Sequence, residues 1–412
     1  MNREDSVTRT PIQARNKYPI VVAGGGIGGL AAALALALRE FNVVVCEKAP
    51  QFGQVGAGLQ VAPNALSALD ALGVGERVKQ RALLIERMSM RDAVSGNLIC
   101  DIPCGAEFRR LFNNPYAVAH RADVHGALLD GCRQHPNKIS LRADAGVTGF
   151  SMQKHGVDVF FSSGESLKGS SLIGADGIRS VVRQYLIGDG EPEAAGAIIF
   201  RALIPVAQMP QRHQKPYPTM WAGPGFHIIY YPVSDWTMFN LGVTINADAS
   251  AYSEGLADPA EVIELLRDCC DEPLEVVQIP KSFQRYIIRH RQPIANWSQG
   301  VVTLLGDAAH PMVQYIAQGA AMALEDAMCL AEAVNDASGD IAEAFRQYQA
   351  VRIVRSARVQ ISSLLMDRIY HASGVERLVR NSMFELRTAA EYYDRLQWLY
   401  RAPDYVGFRV RR

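Results

Sequence analysis

Residues 21–30 read Val21-Val22-Ala23-Gly24-Gly25-Gly26-Ile27-Gly28-Gly29-Leu30, a short apolar strand that leads into a glycine turn and a helix. A second apolar strand, Val43-Val44-Val45-Cys46, ends at the acidic residue Glu47. Strand, glycine turn, helix, second strand and terminal acid in this order form the dinucleotide-binding fingerprint. The sequence therefore predicts an α/β fold whose first unit spans Pro19 to Glu47.

Each feature of that fingerprint has a separate physical role. Gly24 permits the tight turn, Gly26 lets the backbone approach a pyrophosphate, and Gly29 lets the helix pack closely on the strand. The helix start offers free N–H groups and the positive end of its dipole to phosphate. Glu47 is placed to accept hydrogen bonds from a ribose diol. A glycine-rich loop without a ligand is the alternative, and the flanking strand, helix and acid argue against it.

The composition is typical of a soluble globular enzyme with two or three domains. Of the 412 residues, 49% are hydrophobic and 20% are charged, and both Lys+Arg and Asp+Glu number 42. This balance gives no overall field that would attract nucleic acid or an anionic membrane. The uncharged run from Tyr18 to Leu38 contains five glycines between residues 24 and 29, and the helix that follows is too short to span a membrane. We therefore expect no membrane span and no nucleic-acid partner.

The cysteines and the first residues favour a cytoplasmic location. The chain has 7 cysteines, no CxxC motif and no spacing typical of a metal site, so we expect reduced thiols and no metal. The segment from Met1 to Lys17 is polar and lacks the apolar core of a signal peptide, which predicts a loose arm.

Hydrophobic periodicity predicts a discontinuous domain organisation. The predicted dinucleotide-binding domain has three parts, 18–90, 121–190 and 293–335, and substrate-domain segments at 91–120 and 191–292 separate them. Residues 336–412 form a helical C-terminal region. Residues 51–60 are predicted as a glycine-rich loop, and the middle block contains several antiparallel strands and one helix at 259–269.

Two further segments place an acid at the end of a buried strand. The first reads Gly174-Ala175-Asp176-Gly177-Ile178-Arg179-Ser180, with Ser180 at the start of a predicted helix. The second reads Leu305-Gly306-Asp307-Ala308-Ala309-His310-Pro311 and leads to a helix that begins at Gly319. His310 is expected to brace the loop at Pro311 rather than to act as a base.

With these three signatures, in this order, the chain resembles the single-component aromatic-ring hydroxylases that use FAD, the para-hydroxybenzoate hydroxylase group. Within that group it is similar to the salicylate-type and 3-hydroxybenzoate 6-hydroxylases. The segments His120-Arg121-Ala122-Asp123-Val124-His125 and Gln314-Tyr315-Ile316-Ala317-Gln318-Gly319 look like the latter branch. The resemblance implies a Rossmann-type FAD-binding domain with an inserted, mainly antiparallel β-sheet substrate domain and a helical C-terminal part.

The resemblance also implies roles in cofactor binding. Glu47 would hold the adenosine ribose, Arg121 would contact the ribityl or phosphate portion, and Asp307 would bond the ribityl hydroxyls. Asp176 would organise the loops around FAD and is expected to be as much structural as functional. The N–H groups of the helix that starts with Gly319 and Ala320 would point at the pyrimidine edge of the flavin, which becomes negative on reduction.

The substrate residues are expected on the strand Phe226 to Tyr231. Residues four apart in a strand share a face, so His227 and Tyr231 point together while Ile228 and Tyr230 face away. A histidine and a phenol on one face suit a phenolic substrate, whose hydroxyl they can hydrogen-bond and help to deprotonate. Gln314 lies in the loop before the flavin helix and is a further candidate. Tyr217 and Trp221 line the pocket or pack in the core, and no arginine stands out as a carboxylate anchor.

The resemblance implies a monooxygenase that uses O2 and a nicotinamide co-substrate, NADH in preference to NADPH. The best single substrate is 3-hydroxybenzoate, giving 2,5-dihydroxybenzoate (gentisate), and salicylate and 6-hydroxynicotinate remain alternatives. A flavoprotein of another class, a non-hydroxylating reductase or an FAD-binding subunit, also stays open. The C-terminal helices carry apolar and aromatic residues that pack on the core or on a second subunit, which favours a homodimer.

Overall fold

The structure is a computed structural model that describes residues 18–53, 58–337 and 339–406. The predicted arm at 1–17 lies outside the described residues. The strands are β1 Ile20–Ala23, β2 Val43–Cys46, β3 Gly58–Val61, β4 Leu83–Leu84, β5 Arg87–Asp92, β6 Leu98–Pro103, β7 Ala117–His120, β8 Ile139–Arg142, β9 Val147–Gln153, β10 Gly156–Phe161, β11 Ser166–Gly169, β12 Ser171–Gly174, β13 Glu193–Pro205, β14 Thr219–Gly223, β15 Phe226–Val233, β16 Met238–Asn246, β17 Gly255–Ala257, β18 Phe283–His290, β19 Ser298–Gln299 and β20 Val302–Leu304.

The helices complete the order along the chain. They are α1 Ile27–Ala37, α2 Pro63–Ala71, α3 Gly75–Arg81, α4 Ala106–Phe112, α5 Arg121–Arg133, α6 Val181–Leu186, α7 Pro259–Glu264, α8 Asp271–Val277, α9 Gly319–Asp336, α10 Ile341–Tyr370, α11 Gly374–Glu385 and α12 Ala389–Tyr400. No helix in the described part of the chain is both long enough and apolar enough to cross a membrane.

A six-stranded sheet in the order β19-β20-β12-β1-β2-β8 forms the centre of the first domain. β1 pairs in parallel with β2 on one side and with β12 on the other, and β20 pairs in parallel with β12. Strands that are far apart in sequence therefore lie side by side, which confirms the discontinuous dinucleotide-binding fold. Helix α1 is buried on almost all sides, as its uninterrupted apolar sequence requires.

The second large sheet has eight strands in the order β17-β18-β13-β16-β15-β14-β5-β6. β13, β15, β16 and β18 pair antiparallel, and the one parallel contact joins β14 to β5. This is the expected, mainly antiparallel substrate domain. Two three-stranded sheets, β11-β10-β9 and β3-β7-β4, complete the described strands.

Two predicted element boundaries are wrong, and one strand crosses a predicted domain boundary. β5 begins at Arg87 and belongs to the eight-stranded sheet, so a domain boundary at 90/91 would cut through a strand. The predicted helix 259–269 ends at Glu264, and a second helix begins at Asp271 after Cys269 and Cys270. The predicted loop 51–60 becomes a strand from residue 58, and residues 54–57 lie outside the described part. The strand forms because β7 supplies hydrogen-bond partners for its backbone, which the local sequence does not reveal.

Helices α9 and α10 are joined by a cluster of charges in which Glu325, Asp326 and Arg352 are fully buried. Arg352 donates from Nε to Asp326 Oδ1 at 2.6 Å and from Nη1 to Glu325 Oε2 at 2.6 Å. Arg355 donates to both oxygens of Glu325 at 2.7 Å. Burial acts to raise the pKa of Glu325, but Arg352 and Arg355 hold that pKa below its usual range. The cluster therefore contains charges that compensate one another.

The same cluster fixes the turn after β20. Oδ2 of Asp326 accepts hydrogen bonds from the backbone N–H of Gly306 at 2.9 Å and from Nε2 of His310 at 2.6 Å. His310 thus braces this loop, as the sequence predicts. The turn from Gly306 to His310 is held against α9 by a charge network rather than by apolar packing alone.

Replacing Arg352 with Met should lower the free energy of unfolding by about 3 to 5 kcal/mol, because two buried carboxylates lose their shared counter-charge. The exposed pair Arg267–Glu264 provides the control, since Arg267→Met should change stability by less than about 1 kcal/mol. Chemical denaturation followed by circular dichroism measures both variants. Equal effects of the two substitutions would contradict a stabilising role for the buried cluster.

Candidate active site

The glycine turn between β1 and α1 leaves open space in front of free backbone donors. Gly24 has φ +108°, and a Cβ on Gly24 would lie 2.4 Å from the carbonyl oxygen of Ala175. A Cβ on Gly29 would lie 2.0 Å from the carbonyl oxygen of Gly24, whereas nothing lies within 4 Å of one on Gly26. Helix α1 begins without a side-chain cap. Its first N–H groups are therefore available to an anionic ligand.

Glu47 reaches back to the same turn. Its Oε2 accepts a hydrogen bond from the backbone N–H of Gly25 at 2.8 Å, and its Oε1 accepts one from Ala49 at 2.9 Å. His125 of α5 contacts the turn from another side, with Nε2 2.8 Å from the carbonyl oxygen of Gly25. A carboxylate has about four acceptor sites, so Glu47 can still bind a ribose diol.

Asp307 and Arg121 are charged groups with unused hydrogen-bonding capacity. Asp307 follows β20, and its exposed carboxylate forms no hydrogen bond or ion pair with any described residue. Arg121 begins α5, is exposed, and likewise has no ion pair within the described ranges. Both face solvent near helix starts, which suits contacts to a polar cofactor.

The start of α9 is also uncapped. Ala317, at φ +52°, turns the chain into the helix, and Gln318 at the N-cap position forms no side-chain cap. Nε2 of Gln318 is buried and lacks a hydrogen-bond partner among the described residues. An ideal Cβ on Gly319 would lie 3.8 Å from Oδ1 of Asp307. Free donors from Gly319 and Ala320 thus lie beside a free carboxylate.

Asp176 has a different environment. Its Oδ1 accepts from Ser180 Oγ at 2.5 Å, and its Oδ2 accepts from the backbone N–H groups of Val181 and Val182 at 2.7 and 3.2 Å. Burial raises the pKa of this carboxyl group. Both oxygens hold the start of α6. These contacts correspond to the structural role expected for Asp176.

The strand β15 presents His227 and Tyr231 on one face, as its period of two predicts. Tyr230 points the other way, where its hydroxyl accepts a hydrogen bond from Nε1 of Trp221 at 3.2 Å. Trp221 is therefore a core residue on the face of the sheet opposite to His227 and Tyr231, and it does not line the expected substrate pocket. Tyr217 packs against Arg87, whose guanidinium carbon lies 5.4 Å from the centre of the tyrosine ring.

His227 lies at the end of a short chain of titratable groups. Its Nδ1 is 2.7 Å from Nε2 of His371, and the two rings stack with centroids 5.0 Å apart. Nδ1 of His371 lies 2.9 Å from Oδ1 of Asp367, whose side chain is 32% exposed. Burial, and secondarily His371, holds the pKa of His227 well below its usual value. His227 is thus a neutral imidazole whose Nε2 forms no hydrogen bond with any described group.

Tyr231 is fixed by a close backbone approach. A Cβ on Gly58 would lie 2.5 Å from its ring, so only glycine fits there. The N–H of Gly58 donates to Oδ1 of Asn240, which pairs with Tyr231 across the sheet. Burial raises the pKa of Tyr231 to about 12, with Arg201 acting in the opposite direction. The phenol therefore stays protonated at neutral pH and can donate a hydrogen bond.

Gln314 connects the loop before α9 to the eight-stranded sheet. Its Nε2 donates to Oγ1 of Thr244 at 3.2 Å, and Thr244 pairs with His227 across the sheet. Its Oε1 accepts a hydrogen bond from Nη2 of Arg201 at 2.8 Å. The structure thus brings Gln314 to the same sheet face as His227 and Tyr231.

Sequence reasoning missed Arg201, His371 and Asp367. Arg201 carried a signal, since it is the one charge within the apolar run Ala197–Pro205. His371 and Asp367 carried none, because they lie at the end of a long helix and approach His227 only through the tertiary fold.

Comparison with known proteins identifies the same architecture. A family described as "FAD binding domain" matches residues 17–352. The chain is 43% identical over 385 residues to 3-hydroxybenzoate 6-hydroxylase of Polaromonas naphthalenivorans (strain CJ2), covering 93% of this chain and 95% of that protein. It is 41% identical over 382 residues to 3-hydroxybenzoate 6-hydroxylase of Klebsiella oxytoca, covering 92% and 96%.

The fold is similar to that of a solved flavoprotein. The structure of HpxO from Klebsiella pneumoniae, complexed with FAD and uric acid, superposes with a TM-score of 0.81 at 24% sequence identity. The superposition covers 94% of this chain and 98% of that one. At this identity the likeness concerns the fold.

The described residues fit FAD. The open space at Gly26 and the uncapped start of α1 suit a pyrophosphate, and Glu47 lies beside them at the end of β2. The unpartnered Asp307 carboxylate and the uncapped start of α9 offer acceptors for hydroxyl groups and donors for a ring edge.

Replacing Asp307 with Ala should raise the dissociation constant for FAD roughly 10- to 100-fold, because a charged acceptor is lost. Asp336→Ala, at the exposed C-terminal end of α9, makes the same chemical change far from the expected FAD contacts and should leave FAD affinity unaltered. Flavin fluorescence titration of the apoprotein measures both. Unchanged affinity in Asp307→Ala would contradict the assignment of Asp307.

Proposed function

Since the chain belongs to the FAD binding domain family and is an FAD-dependent aromatic monooxygenase, we propose that it converts 3-hydroxybenzoate to 2,5-dihydroxybenzoate. The co-substrates are O2 and a nicotinamide dinucleotide, NADH in preference to NADPH. The observation that carries the proposal is the polar sheet face of His227, Tyr231 and Gln314, on a chain 43% identical to a 3-hydroxybenzoate 6-hydroxylase.

FAD, when bound, supplies the redox chemistry that activates dioxygen, which amino-acid side chains cannot supply. The protein contributes binding, orientation, exclusion of water and control of one proton. Tyr231 donates a hydrogen bond to the substrate from a phenol that burial keeps protonated. Gln314 offers an amide held between Thr244 and Arg201, so its position is fixed before the substrate arrives.

His227 removes the phenolic proton. Its Nε2 forms no hydrogen bond with any described group, and it accepts the proton from the substrate hydroxyl. The aromatic ring of the substrate thereby becomes electron-rich and reacts more readily with an electrophilic oxygen. The proton on Nδ1 of His227 passes to Nε2 of His371 across 2.7 Å. The carboxylate of Asp367, whose Oδ1 lies 2.9 Å from Nδ1 of His371, stabilises the positive charge that His371 gains. This transfer avoids an imidazolium at His227, which burial disfavours.

The direct test of the function is a panel of substrates scored by product. Purified holoenzyme is incubated with 3-hydroxybenzoate, salicylate, 4-hydroxybenzoate and 6-hydroxynicotinate, and hydroxylated products are quantified together with NADH and O2 consumed. We expect 2,5-dihydroxybenzoate in stoichiometric amounts from 3-hydroxybenzoate. Efficient product formation from another panel member, with none from 3-hydroxybenzoate, would reject this substrate. NADH oxidation without any hydroxylated product would reject the hydroxylase itself.

The proton path predicts a distinctive pH dependence. Asp367→Asn and His371→Gln should lower kcat at pH 7 roughly 10- to 100-fold, within the range of general acid–base effects. The loss should diminish towards the pKa of a phenol, about 10, because the substrate then arrives deprotonated. Steady-state rates from pH 6 to 10 measure this recovery.

His155→Gln, on the exposed β9–β10 turn, is the control for the histidine substitution and should follow the wild-type pH profile. If His371→Gln lost the same factor at every pH, His371 would be a packing residue rather than part of a proton path.

We also propose a homodimer. Helices α10 and α11 expose several apolar side chains at the surface, among them Val354, Leu365 and Val375, with exposed fractions of 73%, 62% and 75%. Aromatic residues of α12 such as Tyr392 and Tyr393 are instead buried in the protomer, so the exposed apolar side chains of α10 and α11 are the part of the C-terminal region that could contact a second subunit.

A further inference from the structure

Asp92, at the end of β5, is a buried carboxylate surrounded by hydrogen-bond donors. Its own turn supplies two backbone N–H groups and the hydroxyl of Ser95, at 2.8 to 3.1 Å. Helix α11 supplies Arg377, at 2.6 and 2.7 Å, and Arg380 and Asn381, at 2.7 and 3.1 Å. Burial acts to raise the pKa of Asp92, but the hydrogen bonds of Arg377 and the other donors hold that pKa below its usual range. A charged Asp92 therefore anchors α11 to the eight-stranded sheet.

The sheet places this anchor in line with the proposed proton acceptor. Asp92 pairs with Ala222 of β14, and Ala222 pairs with His227 of β15. Residues that pair across neighbouring strands point to the same face, so the Asp92 carboxylate and the His227 imidazole lie on one side of the sheet. Two strand spacings, roughly 10 Å, separate their backbones.

Arg380 connects Asp92 to the end of α10. Its Nη2 donates to Asp92 at 2.7 Å, and its Nη1 donates to the carbonyl oxygens of Tyr370 and Ile369 at 3.2 and 3.5 Å. The last carbonyl groups of a helix have no partner within the helix, and a cation at this end also meets the negative end of the helix dipole. Arg380 is only 3% exposed, so its guanidinium caps α10 from inside the protein.

His371 directly follows the capped end of α10. Its carbonyl oxygen accepts a hydrogen bond from the N–H of Gly225 at 3.0 Å, and its Nε2 lies 2.7 Å from Nδ1 of His227. The ring of Tyr370 packs edge-on against the imidazole of His227, with centroids 5.6 Å apart. The position of the His371 ring therefore depends on how the end of α10 is held against β15 and the turn before it.

Titratable groups face His371 from three elements. His227 contacts it from β15, and Asp367 of its own helix lies 2.9 Å away. Tyr315, in the loop before α9, packs edge-on with ring centroids 5.6 Å apart. Because a carboxylate compensates Arg380, the guanidinium caps α10 with less opposition to the positive charge that His371 gains.

We propose that Arg380, anchored by Asp92, is a positioning residue that holds His371 within hydrogen-bonding distance of His227. Arg380 forms no hydrogen bond with either imidazole in the described structure, so it acts through the backbone at the end of α10. Without this cap the last turn of α10 frays, and His371 moves away from His227. The inference rests on the proposed function, because it concerns the proton path of that reaction.

The test follows product formation by Arg380→Gln holoenzyme from pH 6 to 10. We expect kcat at pH 7 to fall roughly 10-fold and the loss to diminish towards pH 10, as for His371→Gln. The double variant should lose no more than His371→Gln alone, because both substitutions break the same transfer. Equal losses at every pH, or additive losses in the double variant, would overturn the proposal in favour of a packing role.

Arg377→Gln is the matched control. Arg377 donates two hydrogen bonds to Asp92 but none to α10 within the described ranges, so this variant loses a charge from the same cluster and leaves the cap in place. It should retain the wild-type pH profile. If Arg377→Gln reproduced the profile of Arg380→Gln, the charge cluster as a whole would control the reaction, and the proposal would be wrong.

Arg380→Lys decides the matter if Arg380→Gln does not fold. A lysine keeps a positive charge beside Asp92 but lacks the planar fork that reaches the helix carbonyls at the same time. We expect this variant to fold and to show the same pH-dependent loss of kcat. A wild-type pH profile in Arg380→Lys would overturn the assignment of the cap.

A measurement that needs no turnover separates the two proposals. The proton shared by His227 and His371 should give a downfield imidazole N–H resonance in the proton NMR spectrum of the resting holoenzyme, present in wild type and Arg377→Gln and lost in Arg380→Lys. If this pattern holds while no hydroxybenzoate is hydroxylated, the function is wrong and Arg380 still positions His371. If 2,5-dihydroxybenzoate forms and the resonance persists in Arg380→Lys, the function stands and the role of Arg380 is wrong.

Discussion

The charge cluster between α9 and α10 fixes the turn after β20 and the start of α9, on which the expected FAD site depends. Glu325 and Asp326 are adjacent on α9 and fully buried, which is tolerable only because Arg352 and Arg355 reach them from α10. Asp326 also holds the N–H of Gly306 and thereby positions Asp307. The free carboxylate and the uncapped helix start, which we expect to contact FAD, are thus set by charges buried behind them.

The proposed substrate site lies where the eight-stranded sheet, the small β3-β7-β4 sheet, the loop before α9 and the end of α10 meet. Tyr231 of the eight-stranded sheet packs against Gly58 from the small β3-β7-β4 sheet, and Gln314 reaches that sheet from the loop before α9. His371, at the end of α10, closes the site behind His227. The resulting face brings together the imidazole of His227, the phenol of Tyr231 and the amide of Gln314, the three groups proposed to contact the substrate.

Local patterns were reliable where a residue's role depends on its neighbours in sequence. The strand Val43–Cys46 and the turn at Gly24 were predicted from short stretches, because chain geometry alone requires them. Patterns failed where pairing partners are distant or where a helix has weak boundaries. β3 gains its partners from β7, and the helix predicted to end at 269 breaks after Glu264 and restarts at Asp271.

The sequence by itself determined the dinucleotide-binding unit and placed His227 and Tyr231 on one face, since glycine conformation and the two-residue period of a strand are local properties. Only the tertiary structure decided what surrounds them. Arg201 meets Gln314 across 113 residues and His227 meets His371 across 144, and no periodicity records such contacts. They arise because tertiary packing brings distant strands, a loop and the end of a long helix together, and buried polar groups there pair with one another.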